Sequence, residues 1–264
     1  MFRQRIALPV VILLLIAARA GAQTDTIDQR HHPLNTSLLK PGVRQYLVYF
    51  QQPQRPDMLN LSLWVREIEK TSQDNKPAFR ITQHWYSDDT ARYRVFHSVN
   101  SAADFSPLYH AEIKGKATKA YNWSHTGIEG DATPDNKAAG FKLAFDQPNY
   151  NWHLDIETFE MLPLAAGKTF VIRFYDAGLE PPAYVTYKVT GSEALQTLDN
   201  RTVDCWKLFI EGDIPNGHYT QTFWISKVGH EFLKEEDSFG GMYRYKVKLP
   251  GLATYLDSRF ATAK

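Results

Sequence analysis

Residues 220–249 read TQTFWISKVGHEFLKEEDSFGGMYRYKVKL. Tyr219, Phe223 and Ile225 lie at alternate positions on the way into it, and Tyr243, Tyr245, Val247 and Leu249 close it with the same period. A period of two is that of a pleated strand with one apolar face. Val228-Gly229-His230 and Ser238-Phe239-Gly240-Gly241 interrupt the pattern with turn residues. The stretch therefore predicts a three-strand meander over 220–227, 231–235 and 242–249, closed by Pro250-Gly251. Such short links require antiparallel neighbours, because a parallel crossover needs a dozen residues or more.

The same period extends towards the N-terminus. It runs through Leu59, Leu61, Leu63 and Val65; Phe79, Ile81 and Trp85; Tyr93, Val95 and Val99; and Phe141, Leu143 and Phe145. It continues through Phe170, Ile172 and Phe174; Val185, Tyr187 and Val189; and Trp206, Leu208 and Ile210. One segment departs from it. Between Asn149 and Met161, Trp152, Ile156 and Phe159 follow i, i+4, i+7, one face of a short helix ended by Pro163. The predicted fold is mainly β: a curved antiparallel sheet (half-barrel) of roughly ten strands with one or two short helices. The turn-rich stretch Gly127–Gly140 reads as a loop within that sheet.

Residues 1–22 have a basic start (Arg3, Arg5), an apolar run from Ile6 to Ala18 and the small residues Ala20-Gly21-Ala22. This is the layout of a signal peptide cleaved after Ala22, with an apolar run too short for a membrane span. The expected organisation is a signal peptide (1–22), a polar leading segment (23–43), one β-rich domain (44–252) and a C-terminal tail (253–264). The expected location is periplasmic, or else extracellular, without stable membrane insertion after cleavage. The sole cysteine, Cys205, forms no intrachain disulfide, so packing must hold the fold. With 30 basic and 29 acidic residues the chain has no long-range pull on nucleic acid.

No linear motif names a reaction. His84 and His97 sit on neighbouring predicted strands, but aligning the two apolar faces puts them on opposite sides of the sheet. His110, His125, His153, His218 and His230 lack ligand spacing, so no metal and no cofactor is expected. Ser37-Leu38-Leu39-Lys40 lacks the partner motifs of an S-x-x-K enzyme, and there is no G-x-S-x-G. Cys205 reads as a small buried hydrophobe. Glu235-Glu236-Asp237 reads as a solvated strand end.

The excess is aromatic: 6 Trp, 14 Tyr and 15 Phe. Core packing uses many of them. A curved sheet leaving an apolar concavity would use others, and Trp85, Phe141, Phe145, Trp152, Phe159, Phe170, Phe174 and Trp224 are its expected lining. Arg92, Arg94 or Arg173 would meet a ligand's head group.

Leu162-Pro163-Leu164 with Gly167-Lys168-Thr169-Phe170, then Cys205-Trp206-Lys207-Leu208, Thr222-Phe223-Trp224-Ile225-Ser226 and Phe232-Leu233-Lys234-Glu235-Glu236 form a further pattern. Over about residues 150–250 it resembles a family of secreted bacterial proteins known only as a domain of unknown function. That family resembles in shape the lipoprotein-localisation-factor half-barrel (LolA/LolB-like), a curved sheet cupping helices over an apolar cavity. The resemblance implies no catalytic residues. It implies an exported binding or carrier protein, not an enzyme, for a lipid, lipoprotein acyl group or other amphiphile. The alternatives are an envelope assembly protein that binds another protein, and a hydrolase of envelope polymers whose catalytic groups converge only in three dimensions.

Overall fold

The computed structural model describes residues 23–253 apart from 32, 58 and 216. The expected signal peptide and nearly all of the expected C-terminal tail lie outside the described residues. The strands, in chain order, are β1 (Thr24–Ile27), β2 (Gly42–Gln51), β3 (Leu59–Gln73), β4 (Lys76–Ser87), β5 (Arg94–Ser101), β6 (Pro107–Lys114), β7 (Ala117–Ser124), β8 (Gly127–Gly130), β9 (Lys142–Ala144) and β10 (Tyr150–Asn151). A 3-10 turn (Trp152–Leu154) and helix α1 (Asp155–Glu160) come next. They are followed by β11 (Thr169–Tyr175), β12 (Ala183–Gln196), β13 (Thr202–Ile214), β14 (Gly217–Ser226), β15 (Phe232–Phe239) and β16 (Met242–Lys248).

Among the described residues all sixteen strands belong to one sheet. Its path runs β1-β11-β12-β13-β14-β15-β16-β2-β3-β4-β5-β6-β7-β8-β9, with β10 beside β11. Every pairing is antiparallel except β1 and β10 against β11. The predicted meander is β14–β16. Its last turn is Gly240-Gly241 with both φ positive (54° and 75°), which a two-residue type I′ hairpin requires. The strand total exceeds the expected ten because short strands such as β1, β8, β9 and β10 carry too few residues to show a period.

The sheet curls around α1. Leu154, Ile156, Phe159, Met161 and Leu162 are fully buried and pack against Phe170, Ile172, Phe174, Tyr187, Leu208, Phe223 and Phe232 of the surrounding strands. Phe159 lies 4.7 Å from the ring of Tyr187 and 4.8 Å from that of Phe223. A six-residue helix is not stable alone, so these contacts make it. The expected leading segment is also part of the body: β1 pairs with β11, and Ile27, Leu34 and Leu39 join the same core. Its polar composition hides this, because three apolar anchors are enough to seat it.

Buried charges hold α1 as well. Arg44 Nη1 donates to Glu160 Oε2 at 2.7 Å, and the Phe232 backbone N–H donates to Glu160 Oε1 at 2.9 Å. Arg66 pairs with Glu157, lies 3.7 Å from Asp155, and donates to the His153 carbonyl at 3.2 Å. Beside them Lys246 pairs with Glu235, while Arg244 pairs with Glu235 and Asp237.

This inward charge corrects several face assignments. In β3 the inward residues are Trp64, Arg66 and Ile68, and Leu59 and Leu61 are exposed. In β16 Lys246 is buried and Tyr243 exposed. In β5 Phe96, Ser98 and Asn100 point in and Val95, His97 and Val99 out, because Ile81 pairs with Ser98. His84 and His97 consequently share the outer face, where His84 meets the Tyr93 hydroxyl (2.7 Å) and His97 the Thr82 hydroxyl (3.3 Å). Glu235 and Asp237, expected to be solvated, are buried, with only Glu236 turned outward.

A pH dependence follows. Burial and the neighbouring Glu235 charge push Asp237 up to about 7. Burial also acts on Glu235, but Lys246 and Arg244 outweigh it and hold that carboxyl at about 2. Burial raises Glu160 to about 7 despite Arg44. The raised groups keep protons that the unfolded chain releases, so their stabilisation fades as pH climbs towards 7. The lowered Glu235 stabilises above its unfolded value and less as pH falls towards 2. Thermal stability is therefore expected to peak near about pH 4–5 and to decline by pH 8. Asp237→Asn should flatten part of that decline, as read by calorimetry across pH; an unchanged decline would contradict the assignment.

Candidate functional site

The curled sheet leaves a pocket of about 420 Å³ at one mouth, where β5–β7 face the turn after β11. Register builds its floor. Ser98, His110 and Tyr121 align across β5, β6 and β7, and Phe96, Glu112 and Lys119 form the next row. Arg94, Lys114 and Ala117 complete this side; His153, Asp176, Ala177 and Leu179 supply the opposite wall. Gly178, with φ 84°, brings that wall in: a Cβ there would lie 2.4 Å from the Tyr121 hydroxyl.

His110 is the buried centre of the floor, 2% exposed. Asn151 Oδ1 accepts the His153 backbone N–H at 3.0 Å, which turns its amide nitrogen towards His110 Nδ1 at 3.0 Å. An amide nitrogen only donates, so Nδ1 is the acceptor and Nε2 carries the hydrogen of the neutral ring. Ser98 Oγ lies 2.9 Å from the same Nδ1. Burial, with the nearby His153 and His97, drives His110 well below the ordinary imidazole range. The ring is thus neutral at pH 7. Because Nδ1 faces Ser98 and Asn151, the Nε2–H edge is what His110 presents to the pocket.

His153 stacks on His110 with centroids 4.9 Å apart, and its Nε2 lies 3.3 Å from Asp176 Oδ1. Arg94 Nη1 lies 3.1 Å from Glu112 Oε1. Among the described residues Lys114 and Lys119 have no carboxylate within 4.0 Å. The Ser98–His110 pair has the composition of a hydrolytic dyad but not its layout. Ser98 is wholly buried, its hydroxyl meets the Nδ1 side of the ring, and it does not line the pocket. No group of three or more His, Cys, Asp or Glu residues fit to hold a metal occurs among the described residues. Cys205 is buried with Trp224 and Leu233, which pushes its thiol up to about 11.

The eight aromatic residues expected to line one cavity lie in separate places. Phe159, Phe170 and Phe174 belong to the closed core around α1. Trp85 packs behind the pocket, stacked on Trp64 (3.9 Å) and tilted against Phe96 (4.6 Å). Phe141 and Phe145 join Tyr121, Trp123 and Tyr175 in a second cluster that ties β7–β9 to β11. Trp152 is 37% exposed, with its ring edge-on to Phe174 at 5.2 Å. Trp224 lies in the outer cluster with Cys205. They line no common space because the concavity they were to enclose holds α1. Of the expected head-group arginines, Arg94 lines the pocket. Arg173 pairs with Asp146 at 2.6 Å, and Arg92 with Asp89 at 3.6 Å. His110, His153 and Asp176 show no linear signal, since three separate elements bring them together.

Curled sheet, central helix and mouth pocket together define a β-barrel-like domain. A family profile for proteins of unknown function, DUF3108, matches residues 45–248, and the chain belongs to that family. The match reaches well beyond 150–250 and takes in the N-terminal half. Among solved structures the chain is similar to a beta-barrel-like protein of the domain of unknown function DUF1849 from Brucella abortus. The two are 12% identical, with a TM-score of 0.47, covering 78% of this chain and 96% of that one. No curated protein matches the chain.

Proposed function

We propose that this is an exported binding or carrier protein that holds an amphipathic ligand at the mouth of the curled sheet and performs no chemistry on it. The supporting observation is the about 420 Å³ pocket whose floor is a buried, neutral histidine with its Nδ1 engaged and its Nε2–H without a hydrogen-bond partner among the described residues. Such a group orients a ligand, and Tyr121, Ala177 and the 65%-exposed Leu179 offer an apolar wall beside it. A lipid or lipoprotein acyl group fits this reading with its head on the floor and its chain along Leu179. The core itself is occupied by Phe159 and its neighbours. Export is proposed from the signal-peptide layout of residues 1–22, and the carrier role from the pocket itself.

Ala117→Trp places a large ring in the pocket from an exposed strand position. Native mass spectrometry of the protein recovered from a bacterial periplasm is expected to show a small-molecule adduct on the wild type and none on this variant. An adduct that persists on the variant would move the site elsewhere.

A second reading, a partner-protein surface, has its own observation. On the outer face Tyr245, Tyr49 and Leu61 align across β16, β2 and β3, and Val247, Leu47 and Leu63 form the adjacent row. Tyr49 and Tyr245 stack at 4.8 Å, and Leu59 is 53% exposed. Cross-linking from position 245 in the envelope, yielding one defined partner, would favour it.

A further inference from the structure

We infer that the group recognised on the pocket floor is an anionic oxygen acid, a carboxylate or phosphate, seated on the Nε2–H of His110 between Lys114, Lys119 and Arg94. The inference rests on the binding reading above and names the chemistry of the same site.

Three observations carry it. His110 is a donor and nothing else in this pocket. The Asn151 amide, oriented by the His153 backbone N–H, fixes Nδ1 as the acceptor, so the exposed edge offers a hydrogen and selects a ligand acceptor. The second observation is charge balance. Glu112 is paired with Arg94 at 3.1 Å, while Asp176 lies 3.3 Å from His153, whose ring offsets its charge only when protonated. Lys114 and Lys119 have no carboxylate within 4.0 Å among the described residues, so the three lining cations, with Arg94, exceed the two lining carboxylates by one positive charge. The third is placement. Glu112 and Lys119 are register partners, and Lys114 pairs with Ala117 one step along the same face. Lys114 therefore stands on the strand that carries His110, and Lys119 and Arg94 on the two strands beside it. A buried neutral N–H donor under exposed cations suits an oxyanion: the donor sets its position and the lysines attract it. Were the head group an ammonium, it would face the Nε2–H and both lysines.

The test titrates the ¹⁵N-histidine-labelled protein with octanoate, octyl phosphate and octanol, and with acetate and inorganic phosphate as free anions. Octanoate and octyl phosphate are expected to bind at least about tenfold tighter than octanol and to move the His110 Nε2 resonance while Nδ1 keeps its acceptor signature. His110→Phe should weaken the anions at least about tenfold and octanol by less, since a neutral hydroxyl accepts from Nε2–H more weakly than an oxyanion does. Lys114→Gln/Lys119→Gln, at exposed positions that leave the floor untouched, should weaken them less and remove the salt dependence. If acetate and phosphate bind as tightly as the octyl compounds, the anion inference stands and the amphiphile in the binding reading fails. Octanol binding equal to octanoate, or anion binding unaffected in both variants, overturns the inference and leaves the binding reading intact. No binding by any probe at the pocket, with no adduct in native mass spectrometry, defeats both.

Discussion

Arg66→Met is expected to destabilise the protein by about 3–5 kcal/mol, because it strands the buried Glu157 without its cation. Arg66 is 3% exposed and Glu157 fully buried. Removing the guanidinium also takes one donor from the His153 carbonyl, to which Gln83 donates as well at 2.7 Å. The double change Arg66→Met/Glu157→Met removes both charges and should recover most of the loss, since a buried ion pair is worth little against a packed apolar pair. Urea unfolding with unchanged m-values reads both effects. A single variant within 1 kcal/mol of wild type would show that the pair does not secure α1.

Phe159→Ala should cost a similar amount, about 3–5 kcal/mol. Its ring is fully buried between Tyr187, Phe223 and Phe174, the last at 6.4 Å. These rings belong to three different strands, so no single movement closes the hole. Domains are commonly stable by only about 5–15 kcal/mol, and this one has no disulfide to support it. Trp152→Ala, at an exposed ring, is the matched comparison and should cost well under half as much in calorimetry. Equal losses would mean that α1 is not the centre of the core.

The β architecture is legible in the sequence because alternation marks strands whichever way they face. Facing was not legible. Alternation identifies an apolar stripe, and the usual inference points it inward. In β3, β5 and β16 the stripe points out, because Arg66, Ser98 and Lys246 find partners inside: Glu157, His110 and Glu235. Only the pairing register reveals that Glu235 and Asp237 stand beside Lys246 and Arg244. The helix was visible in Trp152, Ile156 and Phe159, yet its place inside the sheet was not. The aromatic residues consequently looked like the lining of a cavity that α1 fills. The pocket residues were the least legible of all. His110, His153 and Asp176 are separated along the chain and meet only because the sheet curls far enough to set β6 against the turn after β11.

The central claim is that a ligand binds at the mouth of the sheet and leaves the core closed. Mapping backbone amide shifts on titration with octyl phosphate tests it most directly. Shifts confined to residues 94–98, 110–121, 153 and 176–179 are the predicted result. Shifts spreading through Ile156, Phe159 and Leu162 would show the alkyl chain entering the core past α1, and would contradict it.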